Sequence, residues 1–140
     1  MFLAPTYPLK LADKHKIGVM LVIFDSCWDP YPKAGKQRDP RPHLHNSGWV
    51  QSPGRAILED WARIDELEGY VKGVMGHFKN DTRIHAWDLF NEPDNPNTSS
   101  YSNDETKNKS ALSLALLKKV FAWARQVNPS QPITAAPWRD

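Results

Sequence analysis

Ala86-Trp87-Asp88-Leu89-Phe90-Asn91-Glu92-Pro93-Asp94 is the stretch on which the reading of this chain turns. From Arg83 to Phe90 the apolar residues Ile84, Ala86, Trp87, Leu89 and Phe90 make a buried strand. Pro93 has no N–H to give to a sheet ladder, so the strand must finish beside it. A carboxamide, Asn91, and a carboxylic acid, Glu92, therefore stand at the carboxyl end of a buried strand. By periodicity alone Glu92 reads equally well as a solvated loop acid.

The flanks place this strand in a repeating pattern. Upstream, Leu67, Tyr70, Val71, Val74, Met75 and Phe78 recur at helical spacing, which predicts a helix from about Ile64 to Lys79, ended by Asn80-Asp81. By the same spacing Tyr70, Phe78 and Trp123 are expected in the core. Downstream, after a polar loop from Asp94 to about Lys109, the stripe Leu112, Ala115, Leu116, Val120, Trp123 and Val127 predicts a second helix that Asn128-Pro129 terminates. Pro132 to Ala136 then begins another strand. Further upstream, Leu9 to His15 reads as the end of a helix with basic residues near its negative pole. Gly18 opens Val19-Met20-Leu21-Val22-Ile23-Phe24, apolar at every position and so expected to be buried on both faces. The irregular stretch from Asp25 to about Pro53 is a long loop, a short helical piece is expected around Ile57 to Ile64, and a loop of that length is usually functional.

Strands that alternate with helices imply a parallel sheet with right-handed crossovers. The loops that follow the strands are long and those that follow the helices are short. Long loops at the strands' carboxyl ends are where α/β barrels and open α/β sheets carry their sites.

Bulk properties narrow the partners. The chain has 140 residues and a formal net charge of +2, with its basic residues scattered. Nucleic acid and an anionic membrane surface are therefore poor partners. The longest apolar run, Val19 to Phe24, is too short to span a bilayer. The first five residues, Met1 to Pro5, lack the basic start and apolar stretch of a signal peptide. Localisation stays open. Cys27 is the single cysteine, so no internal disulfide forms. Six tryptophans are an enrichment. Indole faces stack on the C–H faces of sugar rings, although core packing is the commoner role of any single tryptophan.

The run Trp87-Asp88-Leu89-Phe90-Asn91-Glu92-Pro93 resembles the end of the fourth barrel strand in clan A glycoside hydrolases, in particular the family 5-like enzymes. Phe78-Lys79-Asn80-Asp81-Thr82-Arg83-Ile84 resembles their passage from helix to strand. The resemblance implies a partial (β/α)8 barrel, from helix two through strand three to the start of strand five. Residues 1–140 would then be a piece of one catalytic barrel, since a complete one takes about 250 residues. It implies that Glu92 is the general acid/base of a retaining β-glycosidase and that Asn91 binds the sugar 2-hydroxyl. It also implies that the nucleophilic carboxylate comes from strand seven, outside this chain; Asp25, Asp29 and Asp88 do not match it. The substrate would be a β-linked poly- or oligosaccharide, and no cofactor is implied, because two carboxyl groups suffice. A non-catalytic carbohydrate-binding protein stays open, as does self-association through uncovered strand edges.

Around that centre, Asp25-Ser26-Cys27-Trp28 stands where relatives end strand three in Asp-Leu-His-Trp, so Cys27 replaces a histidine that lines the sugar site. Asp25, Trp28, Trp49 and Trp138 are the further candidate substrate-binding residues. Cys27 reads as a small buried residue rather than a nucleophile. His43 and His45, two residues apart with no carboxylate or thiolate at matching spacing, carry no metal reading. Asn97-Thr98-Ser99 and Asn108-Lys109-Ser110 fit the glycosylation pattern.

Overall fold

The structure is a computed structural model that describes residues 6–98, 101 and 103–139. Three parallel strands, β1 (Val19–Val22), β2 (Ile84–Asn91) and β3 (Ile133–Ala136), lie in the order β1-β2-β3. Helix α1 (Thr6–Lys14) precedes β1. The long first crossover contains α2 (Arg55–Leu58), a 3-10 turn (Trp61–Arg63) and α3 (Glu66–Phe78). Helix α4 (Lys109–Val127) forms the second crossover. The expected alternation and parallel pairing are both present, and the short helical piece expected over Ile57 to Ile64 resolves into α2 and the 3-10 turn.

Each helix ends for a local reason. Helix α3 has Glu66 and Glu68 in its first turn, at the positive pole of its dipole, and His77 in its last. Helix α4 stops at Asn128, which adopts a left-handed conformation with φ 53°. Its N–H turns back onto the carbonyls of Ala124 and Arg125. Asparagine tolerates that conformation better than most residues, and Pro129 prevents the helix from continuing.

The core lies between the sheet and the helices. Leu9 of α1, Val71, Met75 and Phe78 of α3, and Leu116, Val120 and Ala124 of α4 pack with Ile84, Trp87 and Leu89 of β2. Trp87 is fully buried and its indole N–H donates to Gln131 Oε1 at 3.0 Å. The Gln131 amide in turn donates to the carbonyls of Phe78 (3.2 Å) and Asp81 (2.9 Å). One side chain thus ties the end of α3 and the start of β2 to the entry of β3. Gly54 marks a second close approach. A Cβ there would lie 2.9 Å from the Pro30 carbonyl and 2.3 Å from Pro32 Cδ, so only glycine lets the loop after β1 rest on the start of α2.

Two expectations need correction. The run Val19 to Phe24 is not buried on both faces. Regular pairing covers Val19–Val22, where half-buried and exposed residues alternate, and Met20 and Val22 are 56% and 47% exposed. Helices cover one face of the sheet; Met20, Val22 and the exposed Thr134, which share the other face by register, have no such cover. Tyr70 is not a core residue either. It is 41% exposed at the sheet's carboxyl end, its ring tilted against Phe24 at 5.6 Å and its hydroxyl donating to the Ile23 carbonyl at 3.2 Å. A tyrosine with a carbonyl in reach does better at such a margin than in the apolar interior. Phe78 and Trp123 are buried as expected.

This packing makes a simple contrast measurable. Leu116→Ala, at a position with no exposed surface, is expected to lower unfolding free energy by about 2–5 kcal/mol. Leu114→Ala, on the exposed face two residues earlier, is expected to change it by less than about 0.5 kcal/mol. Equal losses in urea denaturation would refute the assignment of the buried face.

Candidate active site

The carboxyl end of β2 is held from both sides. Asn91 N–H donates to the Phe24 carbonyl at 2.9 Å, and Ser26 N–H donates to the Asn91 carbonyl at 3.1 Å. On the other flank Glu92 N–H donates to the Ala136 carbonyl at 2.7 Å. Glu92 itself has φ 46°, a left-handed conformation that bends the chain out of the strand before Pro93. A non-glycine residue held in that region stores strain, and such positions cluster at functional sites.

The Glu92 carboxyl is half-buried and held through one oxygen. Cys27 Sγ lies 2.9 Å and Asn95 Nδ2 2.7 Å from Glu92 Oε2. Asn95 Nδ2 also reaches Cys27 Sγ at 3.4 Å, so the sulfur accepts from the amide while its hydrogen points at Glu92. Among the described residues Oε1 has no hydrogen-bond partner. Burial, and next the adjoining Glu92 carboxylate, push the Cys27 thiol well above its ordinary range. The thiol therefore stays protonated, and a protonated thiol is a donor rather than a nucleophile.

Beside this triangle lies a second carboxylate. Asp25 Oδ1 accepts the Cys27 N–H at 2.8 Å, and Asn91 Nδ2 donates to Asp25 Oδ2 at 3.3 Å. Behind them Asp88 is buried and accepts the Phe90 N–H at 3.0 Å. Burial raises the carboxyl groups of both Asp25 and Asp88, with mutual repulsion a smaller cause for Asp88 and repulsion from Glu92 a smaller cause for Asp25.

The loop that carries Cys27 and Trp28 rests on a buried polar network. Lys109 Nζ and Glu105 Oε2 form an ion pair at 2.6 Å, with side chains 5% and 7% exposed. Lys109 Nζ also donates to the Ser26 carbonyl at 2.8 Å. Gln51 and Asn97 both donate to Glu105, and both reach the Trp28 carbonyl. Burial pushes the Lys109 ammonium down, and Glu105 opposes that shift. Charges removed from water are tolerated only when paired and hydrogen-bonded, as here.

The tryptophans stand around this centre at different depths. Trp28 is half-buried, edge-on to His45 with ring centroids 5.7 Å apart, and its indole N–H is buried without a partner among the described residues. Trp138 is 53% exposed; its backbone N–H and that of Arg139 donate to the two oxygens of Asp94, at 2.7 and 3.1 Å. Trp49 is also 53% exposed, and its carbonyl accepts the Asp29 N–H at 3.3 Å, outside this group. A cavity of about 540 Å³ is lined by Asp94, Pro96 and the start of α4, and Glu92 is not among its lining residues. Among the described residues no three histidine, cysteine, aspartate or glutamate groups gather around a common point for a metal.

Glu92, Asn91, Asp25 and Cys27 are thus brought together, Trp28 follows Cys27 on the same loop, Trp138 is tied through its backbone to Asp94, and Trp49 stays apart. Asn95, Gln51, Asn97, Glu105 and Lys109 were not among the expected site residues. One signal was available. A lysine opening a helix faces the wrong pole of the dipole, so it needs a compensating partner, and Glu105 stands four residues before it in the preceding loop.

Two stability measurements follow. Lys109→Met is expected to destabilise by about 3 kcal/mol or more, because it strands Glu105 in the interior, while Glu105→Gln with Lys109→Met should lose less than the single change. A double variant as unstable as the sum of its parts would exclude that coupling. Because burial raises Asp88, the folded chain holds a proton at pH values where the unfolded chain has released it. That contribution to stability is fully present below about pH 4 and is lost as pH rises through the raised value. The stability of the unsubstituted chain relative to Asp88→Asn should therefore grow as pH is lowered from 7 to 4 in urea titrations. A constant difference would rule it out.

Comparison with known proteins gives one match. The profile described as glycosyl hydrolase family 10 matches residues 37–135, more than half of the chain. No curated protein and no solved structure matches it. The matched stretch includes Trp49, Asn91 and Glu92, whereas Asp25, Cys27, Trp28 and Trp138 lie outside it. Family 10 is a clan A family of barrel fold, so the clan read from the Trp87–Pro93 run stands, and family 10 replaces the family 5-like assignment. A strand ending in Asn-Glu serves the chemistry of the clan and cannot separate its families. With its matched loop, helices and central strand, the chain belongs to glycosyl hydrolase family 10.

Proposed function

We propose that this chain supplies the acid/base half of a retaining β-glycoside hydrolase site, with Glu92 as proton donor and Asn91 as the residue that binds the sugar 2-hydroxyl. The observation that carries the reading is the Glu92 carboxyl, inside the family match and held through Oε2 by two donors. An oxygen that already accepts two hydrogen bonds is a poor seat for a proton. The acidic proton then belongs on Oε1, the oxygen left for the glycosidic bond.

The chemistry follows from that placement. A glycosidic oxygen leaves only when protonated, and a carboxylic acid within hydrogen-bond reach provides the proton. The same group, ionised by that step, takes a proton from water in the second displacement. A contact to the 2-hydroxyl that strengthens as the oxocarbenium-like transition state forms lowers the barrier by several kcal/mol. The reaction also needs a nucleophilic carboxylate about 5–5.5 Å from the acid. In this reading β1, β2 and β3 are strands three, four and five of the barrel, and the nucleophile belongs to strand seven. Asp25 and Asp88 are engaged by the chain's own N–H groups, which suits structural roles better than attack on a sugar. The substrate class is a β-linked poly- or oligosaccharide, xylan-type by family, with Trp28, Trp49 and Trp138 as candidate ring platforms.

The chain is expected to bind β-xylobiose or β-cellobiose with changes in the Asn91 side-chain amide resonance, and Glu92→Gln, which keeps the shape of the side chain, should bind within about threefold of it. It is expected to release no 4-nitrophenol from the corresponding aryl glycosides. Release that Glu92→Gln abolishes would place the nucleophile within these 140 residues. A silent Asn91 resonance at saturating sugar would remove the site altogether.

A further inference from the structure

We infer that Asp25 is a positioning residue that sets which way round the Asn91 carboxamide is presented to the sugar, and this rests on the reading of Asn91 given above. An asparagine side chain offers two donors on one arm and two acceptor lone pairs on the other, and the arms have nearly the same shape. Left free, the group can turn over and exchange donor for acceptor. In this chain the nitrogen arm faces Asp25, with Nδ2 3.3 Å from Oδ2. An ionised carboxylate accepts and cannot donate, so only the nitrogen arm satisfies it. The carbonyl oxygen and the second N–H are then left for a ligand.

Asp25 is itself immobilised. Its Oδ1 accepts the Cys27 N–H at 2.8 Å. Its backbone exchanges two hydrogen bonds of 2.8 Å with Ser52, which fixes Asp25 to the far end of the long loop. Asn91 is held by the Phe24 carbonyl and the Ser26 N–H on the same side. The two side chains meet because β1 and β2 stay in step past the last residue of β1 proper, where Asp25 and Asn91 form an isolated parallel bridge. With both oxygens taken by internal donors, Asp25 acts through Asn91 rather than by touching the sugar.

The sharpest variant is Asp25→Asn. It keeps the shape and can keep the acceptor for Cys27 N–H, but it turns an amide nitrogen toward Asn91 Nδ2. Two facing donors force Asn91 to turn over. Asp25→Ala removes the partner and leaves the amide free, which provides a second route should the first variant fold poorly. The ligand pair is methyl β-cellobioside and its analogue lacking the 2-hydroxyl on the methyl-bearing ring, titrated into the full chain and read by NMR. The unsubstituted chain is expected to favour the 2-hydroxy sugar by about fivefold, the worth of one hydrogen bond. A hydroxyl both donates and accepts, so a turned or free amide keeps part of the contact; in both variants the ratio should fall to about twofold while affinity for the 2-deoxy sugar is unchanged, a pattern that general loosening of the fold does not produce. A ratio preserved in either folded variant overturns the role of Asp25 alone. A ratio of one in the unsubstituted chain overturns the role of Asn91, and that of Asp25 with it.

Discussion

The central strand is bonded along both edges as far as its last residue, and the candidate site hangs from that. Asn91 is tied to Phe24 and Ser26 on one side, and Glu92 to Ala136 on the other. A strand end is normally where pairing frays. Here the backbone is fixed at the residue that carries the carboxyl, so the left-handed turn at Glu92 can be sustained and its side chain aimed. Were β3 absent, Glu92 would keep its sequence context and lose the bond that sets its direction.

The second constraint is the cost of holding the loop after β1 against this strand end. That loop has no regular pairing beyond isolated bridges, and its carbonyls at Ser26 and Trp28 face inward. Buried carbonyls without partners are expensive. The chain answers with Lys109, Asn97 and Gln51, donors drawn from the opening of α4 and from two loops, and neutralises Lys109 with Glu105. A hydrophobic patch could fill the same space but could not donate to those carbonyls. The network is therefore local support for Cys27, and through Cys27 for the Glu92 carboxyl.

What could be read from the chain follows from how far apart the cooperating residues lie. Helices α3 and α4 are legible because their stripes repeat within a few turns, and the end of β2 is legible because Pro93 stops it on the spot. Asn95 is three residues from Glu92, yet nothing in a loop sequence says that its amide turns back. Gln51, Asn97 and Lys109 come from three segments that share no pattern, so their meeting depends on the fold being already in place. Tyr70 fails for a subtler reason. It keeps the phase of the core stripe, but at that point α3 reaches past the covered part of the sheet and the hydroxyl finds the Ile23 carbonyl. The family was beyond the strand motif because that motif answers to a reaction shared by the clan.

Met20 and Val22 are apolar yet about half exposed, in a strand whose other face is covered by helices. Water does not select methionine and valine at adjoining positions on an open surface; an interior does. In a (β/α)8 barrel this face is the packed interior, filled by layers of side chains from strands on the far side. Among the described residues β1 and β3 each pair with β2 alone, so both outer edges are free as well. Open edges and an uncovered apolar face on the same three strands are consistent with an arc of a barrel wall. On the proposed reading, the candidate site sits at the carboxyl rim of that arc, and a cleft deep enough to enclose a sugar would draw its far wall from the side that Met20 and Val22 face.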